Sequence, residues 1–238
     1  MNKIAIVTDS TADIPDKLIK KHDISIAPLY IHFKGKEYKD KTNITNAEIY
    51  ELLEKNVDVK TSAPSPKDFL KLYSSLIEDK KADTIFSIHI SSKLSNTIDS
   101  AKLARNRFPD TEIEIFDSKS VSMSLGLVVL EAAKMVNQNK DKEFIKKSID
   151  NLISKSLFLA TVDNFEYLLR GGRVGGLKRL LNMALKVRPI FIMDQGKVKV
   201  LKVARTRKSS INQVANEFKK RIQNHGNVNV SIFYGEDM

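Results

Sequence analysis

Two hydroxyl-rich stretches have the residue types and spacing of an anion-binding site: Thr61-Ser62-Ala63-Pro64-Ser65-Pro66 and Ser91-Ser92-Lys93-Leu94-Ser95-Asn96-Thr97. Each places several hydroxyl side chains and backbone N–H groups where the sequence predicts the start of a helix. The first N–H groups of a helix have no intrahelical partner and carry a partial positive charge, so they receive carboxylates and phosphates. Thr61, Ser62, Ser92 and Ser95 are therefore the candidate ligands of an acidic group. The plainer reading is capping alone, a device worth about 1 kcal/mol per helix. The chain has no cysteine, which excludes disulfides, thiolate catalysis and Cys-based zinc or iron–sulfur sites. Without a P-loop, a metal cluster or a catalytic triad in the sequence, these stretches suit holding an acid better than breaking a bond.

Other candidates are weaker. Asp9-Ser10 reads as a strand-to-helix cap or as scaffold for a binding crevice, and no histidine adjoins it in sequence to activate the serine. Asp117-Ser118 closes a strand-like run in the same way. Gly171-Gly172 reads as a helix C-cap after Arg170, where glycine adopts positive φ. The surrounding Gly-Gly-x-x-Gly-Gly does not follow a strand and is not a dinucleotide fingerprint. Arg173 can pair with an anion or with an acidic side chain. Arg205, in the basic turn Arg205-Thr206-Arg207-Lys208, is either solvated or a bidentate partner for an oxyanion. His22, His32, His89 and His225 show no metal spacing, and His89 lies in an apolar strand as a packed residue close to Ser91.

The elements that must position these groups alternate. Strands are expected at Ile4–Val7, Ile24–Ile31, Thr84–Ile90 and Glu112–Phe116. Lys34-Gly35-Lys36 reads as a hairpin turn. Thr45-Asn46-Ala47-Glu48 caps a helix through Leu53, Thr61–Pro66 opens one carrying Phe69, Leu72, Tyr73 and Leu76, and Ser91–Thr97 leads into one with Ile98 and Ala101. An apolar helix starts at Ser124 and another ends near Ile153. Beyond a polar stretch at 137–142, a second set occurs: strands at Phe158–Val162, Pro189–Asp194, Lys197–Val203 and Val228–Tyr234, with helices at Asn164–Leu169, Leu177–Lys186 and Ser210–Gln223. The fold class is α/β, with two α/β domains. Residues 1–155 form a three-layer unit around a parallel sheet, and residues 156–238 form a smaller two-layer unit on a mixed sheet. Strand ends followed by polar turns fall on one edge of such a sheet, where open α/β folds bind ligands.

The formal net charge is +11, from 40 Lys and Arg against 29 Asp and Glu. Such a field favours anionic partners such as nucleic acid or an anionic membrane surface. The basic residues are scattered and lack the aromatic platforms of a strand binder, so no specific nucleic acid is expected. No signal-peptide pattern and no span of about 18–20 apolar residues occurs, which predicts a soluble cytoplasmic protein. Three function classes are compatible: a binder of an acidic small molecule, a phosphotransferase or hydrolase on a small phosphorylated substrate, and a basic nucleic-acid-binding regulator.

In order along the chain, Ile6-Val7-Thr8-Asp9-Ser10-Thr11-Ala12-Asp13, the Thr-Ser-x-Pro-Ser pattern at Thr61–Ser65, the Ser-Ser-x-Leu-Ser loop at Ser91–Thr97, Asp117-Ser118 and Gly171-Gly172-Arg173-Val174 resemble the signatures of the DegV family. Asn96 stands where glycine is usual in that loop. The resemblance implies two α/β domains that bury a long-chain fatty acid, with no cofactor, and a place in phospholipid metabolism. Family members include acyl-binding subunits of bacterial fatty-acid kinase. These present the carboxylate to a separate ATP-binding kinase protein and carry the acyl phosphate. The resemblance places Thr61 and Ser92 at the carboxylate, with Ser62 and Ser95 beside them, and a basic residue near Arg205 by the head group. Ile26, Leu29, Ile31, Leu125, Leu127 and Phe165 are core residues of which some line the acyl cavity. One departure stands out: the His-x-Gly-Pro-Gly type segment usual late in the family is absent from this sequence. Either the sequence is a shortened form or the member is unusual, and one carboxylate-side ligand and part of the second sheet are expected to be missing.

Overall fold

A computed structural model describes residues 3–175 and 187–235. The chain divides into two compact units, Met1–Lys155 with Ile232–Met238, and Ser156–Ser231.

The first unit is built on a parallel sheet of strands β1 (Ile4–Asp9), β2 (Ile24–Ala27), β6 (Thr84–His89) and β7 (Glu112–Asp117), in the order β2-β1-β6-β7. All six residues of β6 are buried, as a central strand covered on both faces requires. Alternation divides its side chains between two cores. Ile6, Ile24, Phe86, Ile88 and Phe116 pack against helices α1 (Asp16–Lys21), α5 (Ser122–Asn137) and α6 (Lys142–Lys155). Val7, Ile85 and Ile113 pack on the other face against α3 (Pro66–Glu78) and α4 (Thr97–Arg105). Three layers result, with every C-terminal strand end on one edge.

A second, three-stranded antiparallel sheet was not expected from the sequence: β3 (Tyr30–Phe33), β4 (Lys36–Lys39) and β5 (Lys60–Ser62), ordered β4-β3-β5. The expected single strand Ile24–Ile31 is in fact two, because Pro28 has no N–H for a ladder and the Leu29 N–H donates to Ser10 Oγ at 3.1 Å instead. Lys34 and Gly35, with φ of 48° and 72°, make the two-residue turn between β3 and β4. Helix α2 (Asn46–Glu54) starts in a capping box of Thr45 and Glu48.

The second unit carries the sheet β8 (Leu159–Thr161), β10 (Arg188–Asp194), β11 (Lys197–Ala204) and β9 (Val174–Gly175), ordered β8-β10-β11-β9. It is mixed, since β9 runs parallel to β11 while the other pairs are antiparallel. Phe165 and Phe191 centre its core, α7 (Glu166–Gly171) precedes β9, and α8 (Arg207–Ile222) lies against β8, β10 and β11. Buried Glu217 of α8 accepts from Lys202 Nζ at 3.1 Å and Arg221 Nε at 2.8 Å; the Lys202 bond leads in holding its carboxyl below the usual range. The expected strand Val228–Tyr234 does not form among the described residues: the segment lies outside their sheets, with Ile232 and Tyr234 each 89% exposed. Their alternation fits a strand, but a strand needs a partner ladder, and none of the described strands pairs with them. The expected helix Leu177–Lys186 lies outside the described residues.

Candidate functional site

The C-terminal edge of the parallel sheet gathers most of the candidate residues of the first unit. Asp9 ends β1 and is fully buried. Its Oδ1 accepts from the N–H of Thr11 at 3.1 Å, which caps the short 3₁₀ turn Ser10–Ala12, and from the Thr11 hydroxyl. Its Oδ2 accepts from Ile90 N–H at 2.9 Å and pairs with His89 Nδ1 at 3.0 Å. Nε2 of His89 lies 2.6 Å from Ser87 Oγ, which in turn lies 2.8 Å from Tyr73 Oη. Asp9 as a carboxylate only accepts, so His89 Nδ1 donates to it, while the Ser87–His89 and Tyr73–Ser87 pairs extend this hydrogen-bonded chain to Tyr73. Burial raises the Tyr73 phenol well above its ordinary value, partly offset by its bond to Ser87.

Sequence reasoning placed His89 as a packed residue, which it is, edge-on to Phe69 at 5.1 Å. It missed the relay. Ser87 and His89, two apart in a buried strand and so on one face, were the available signal. The Ser87–His89–Asp9 order is that of nucleophile, base and orienter, yet all three side chains are inaccessible and Tyr73 occupies the serine. An attacking group must reach its substrate, and this serine does not.

Asp9 also anchors the end of β6, because Ile90 leads into the Ser91–Asn96 turn. The Ser91 N–H donates to the Ser120 carbonyl at 2.9 Å, and the N–H groups of Leu94 and Ser95 both donate to the Ser91 carbonyl. This presents Ser92 at the surface, where its hydroxyl donates to Asp117 Oδ2 at 2.6 Å and its N–H to Oδ1 at 3.3 Å. The Lys119 N–H also donates to Asp117 Oδ1, at 2.9 Å. Ser95 Oγ lies 2.8 Å from the hydroxyl of Thr97, the first residue of α4. Ser118 is buried and bonds the Ser120 backbone. Ser10 Oγ is spent on Leu29, and its carbonyl accepts from Lys41 Nζ at 3.2 Å. Burial raises the neighbouring Asp40 carboxyl above its usual range, partly offset by the Ser10 hydroxyl.

Thr61 and Ser62 do not open a helix as expected. They are the last residues of β5, paired with Ile31 and Tyr30. The cap belongs to Ser65, in a reciprocal box with Asp68 and with Pro66 at the first helical position. Two prolines leave only Ser65 with the spacing a capping box needs. Both Thr61 and Ser62 are exposed, and Ser62 Oγ lies 2.8 Å from His32 Nε2. Asp68 ties the small sheet to α3: it accepts from Tyr30 Oη at 2.7 Å and Lys39 Nζ at 3.1 Å. Burial alone would raise its carboxyl, but hydrogen bonds from Ser65, Tyr30 and Lys39 outweigh that and hold it down to about 2.

In the second unit Gly172 is the αL cap of α7, with φ of 70°, and Gly171 is its last helical residue. Arg173 pairs with neither an anion nor an acidic side chain among the described residues; its guanidinium donates to the Gly171 carbonyl. Arg205 is exposed, and among the described residues only its carbonyl is engaged, by Arg188 at 3.5 Å. No cluster of three or more His, Asp or Glu that could hold a metal occurs among the described residues, nor does a helix long and apolar enough to cross a membrane.

This architecture has known counterparts. The chain is 35% identical over 219 residues to a DegV domain-containing protein of Caldanaerobacter subterraneus subsp. tengcongensis, covering 92% of this chain and 78% of that one. A structure described as fatty acid binding of a DegV family protein from Thermus thermophilus superposes with a TM-score of 0.86 at 31% identity, over 93% of this chain and 79% of that one. A stearic acid-binding protein from Eubacterium ventriosum gives a TM-score of 0.84 at 27% identity, over 94% and 77%. The DegV family model matches residues 3–238, nearly the whole length. With this match over almost every residue and relatives of the same fold, the chain belongs to the DegV family.

Proposed function

We propose that this chain binds one long-chain fatty acid, its carboxylate held by Thr61, Ser62, Ser92 and Ser95 and its tail in the apolar interior. The likeness to the Thermus thermophilus fatty-acid binder carries this reading. The chemistry supports it. An ionised carboxylate is costly to bury without donors, and hydroxyl and amide groups supply them. Roughly fifteen methylenes at about 0.8 kcal/mol each give ample gross affinity before ordering costs. Ser92 donates to Asp117 at 2.6 Å, so on binding its hydroxyl turns from Asp117 to the ligand. Asp9, Ser10, Asp117 and Ser118 serve as scaffold on the first unit, and Gly171 and Gly172 on the second. Exposed Arg205 has its guanidinium available for a head group or a protein partner, and Arg173 keeps donors beyond the one it gives Gly171.

In the fuller reading, the bound acid is presented in the cytoplasm to a separate ATP-binding kinase, and this chain then carries the acyl phosphate without catalysing its formation. The +11 charge favours transient docking to anionic membrane, where fatty acids are exchanged. Native mass spectrometry of protein purified from bacteria tests the core claim: the expected mass exceeds the chain by one fatty acid. A bare-chain mass together with no uptake of added stearic acid refutes it. Vesicle binding that requires anionic lipid is the expected result for docking, and equal binding to neutral vesicles removes that part.

A further inference from the structure

The order of nucleophile, base and orienter that is buried at Ser87–His89–Asp9 recurs at the surface, on the small antiparallel sheet. Alternation puts Tyr30 and His32 of β3 on one face and turns buried Ile31 to the other. The Lys34-Gly35 turn fixes a register in which Glu37 of β4 stands directly opposite His32. On the other side β5 sets Lys60 opposite His32 and Ser62 opposite Tyr30, one diagonal step from His32. Facing and diagonal neighbours on one sheet face are within side-chain reach.

The side chains use that reach. Ser62 Oγ lies 2.8 Å from His32 Nε2, and His32 Nδ1 lies 3.8 Å from Glu37 Oε2. With Ser62 donating, Nε2 accepts and the ring hydrogen sits on Nδ1, towards the carboxylate. The longer separation is that of an ion pair, and rotation of the exposed Glu37 side chain shortens it, as substrate-free sites commonly require. Unlike Ser87, Ser62 is exposed, and the His32 side chain is 36% exposed, so an incoming carbonyl reaches both. The remaining charges on this face are accounted for. Asp68 holds Lys39 and Tyr30, and Lys60 Nζ pairs with Asp58 Oδ2 at 3.2 Å. Lys60, beside His32 in the ladder, is a cation for a developing oxyanion.

We propose that Ser62, His32 and Glu37 form an acyl-transfer triad that hydrolyses activated long-chain acyl esters. The geometry supplies the triad; the long chain of the substrate rests on the fatty-acid reading above. Ser62 Oγ attacks the carbonyl carbon while His32 Nε2 takes its proton. The bond to the leaving oxygen breaks, His32 returns the proton to it, and the acyl group stays esterified to Ser62. Water then gives a proton to His32 and its oxygen bonds the carbonyl carbon. The ester to Ser62 breaks, Ser62 regains its proton, and the free acid is released. Glu37 is a positioning residue, acting through the imidazole.

Hydrolysis of p-nitrophenyl acetate and p-nitrophenyl palmitate by the full chain tests this, together with labelling by a fluorophosphonate located by peptide mass spectrometry. Both esters are expected to be cleaved and the label to sit on Ser62. Ser62→Ala and His32→Ala should each lower the rates about tenfold or more and abolish the label. Glu37→Gln should lower kcat several-fold at unchanged KM and unchanged thermal midpoint. If Ser62→Ala cleaves both esters as fast as the unaltered chain, or the label on Ser62 survives His32→Ala, the triad is refuted. If neither ester is cleaved while stearic acid binds, the triad falls and the fatty-acid reading stands. If the acetate is cleaved through Ser62 but the palmitate is not, and stearic acid does not bind, the long-chain substrate falls with the reading it rests on.

Discussion

Replacing Asp9 by alanine removes the acceptor for two donors inside the protein, the Ile90 N–H at 2.9 Å and His89 Nδ1 at 3.0 Å, and for the Thr11 N–H at its margin. A buried donor left without a partner costs roughly 1–3 kcal/mol. Counting only the two fully buried ones, Asp9→Ala should lose about 4 kcal/mol. For a unit of this size that is a fall in thermal midpoint of about 10 °C. Asp9→Asn keeps one acceptor oxygen and turns an NH2 towards either Thr11 or Ile90, so it should lose about half as much. Urea unfolding followed by far-ultraviolet circular dichroism measures both, read on the transition of the first unit. Amide exchange at Ile90 should accelerate in both variants, because that N–H opens the Ser91–Asn96 turn. A loss below about 1 kcal/mol in Asp9→Ala would mean that water or a rearranged His89 replaces the carboxylate, and the relay would not hold the turn.

Three further outcomes are expected at other sites. Asp68, held down to about 2 from an ordinary 3.8, contributes about 2 kcal/mol of stability that is complete above pH 4 and lost as pH falls towards 2; acid unfolding of wild type and Asp68→Asn should converge at the low end, and parallel curves would refute the assignment. Gly126→Ala drives a Cβ to 2.4 Å from the Ala12 carbonyl, a backbone atom, and should lose about 1–3 kcal/mol in thermal unfolding; an unchanged midpoint would show that α5 slides freely. If the carboxylate sits where proposed, Ser92→Ala should weaken fatty-acid binding, whereas Asp117→Asn, which removes a negative charge beside that proposed position, should tighten it several-fold in a fluorescent-acid displacement assay. Weaker binding by Asp117→Asn would mean that the charge of Asp117, by holding Ser92 in place, helps binding more than its repulsion of the acid hinders it.

The parts of the fold that the sequence revealed are those set by local chemistry. Buried strands such as Thr84–His89 are compact runs with Ile85, Phe86 and Ile88 among six residues, Thr45 and Glu48 are a capping box three residues apart, and Lys34-Gly35 is a hairpin turn. The small antiparallel sheet was illegible because β5 is three exposed residues, too short for a period, and because Pro28 hides a change of sheet inside one extended run. That same shortness turned Thr61 and Ser62 into apparent helix openers. The candidate site was legible in its hydroxyls but not in their partners. Ser92 and Asp117 are 25 residues apart, and Asp9 and His89 are 80 apart, so no local window contains either pair. Arg173 shows the reverse case, where a residue suited to an anion satisfies a carbonyl two positions away.

The segment at 228–234 has a colloidal consequence. Val228, Val230, Ile232 and Tyr234 are exposed large apolar side chains in β-prone alternation, joined by exposed Phe233, with their backbone outside every sheet of the described residues. Such a ribbon is a template for edge-to-edge stacking between molecules. Mutual repulsion of chains carrying +11 keeps them apart in dilute buffer. That repulsion reaches about 10 Å at 0.1 M salt and about 3 Å at 1 M. Concentrated salt should therefore turn a clear solution turbid, and a lysine at Ile232 should keep it clear.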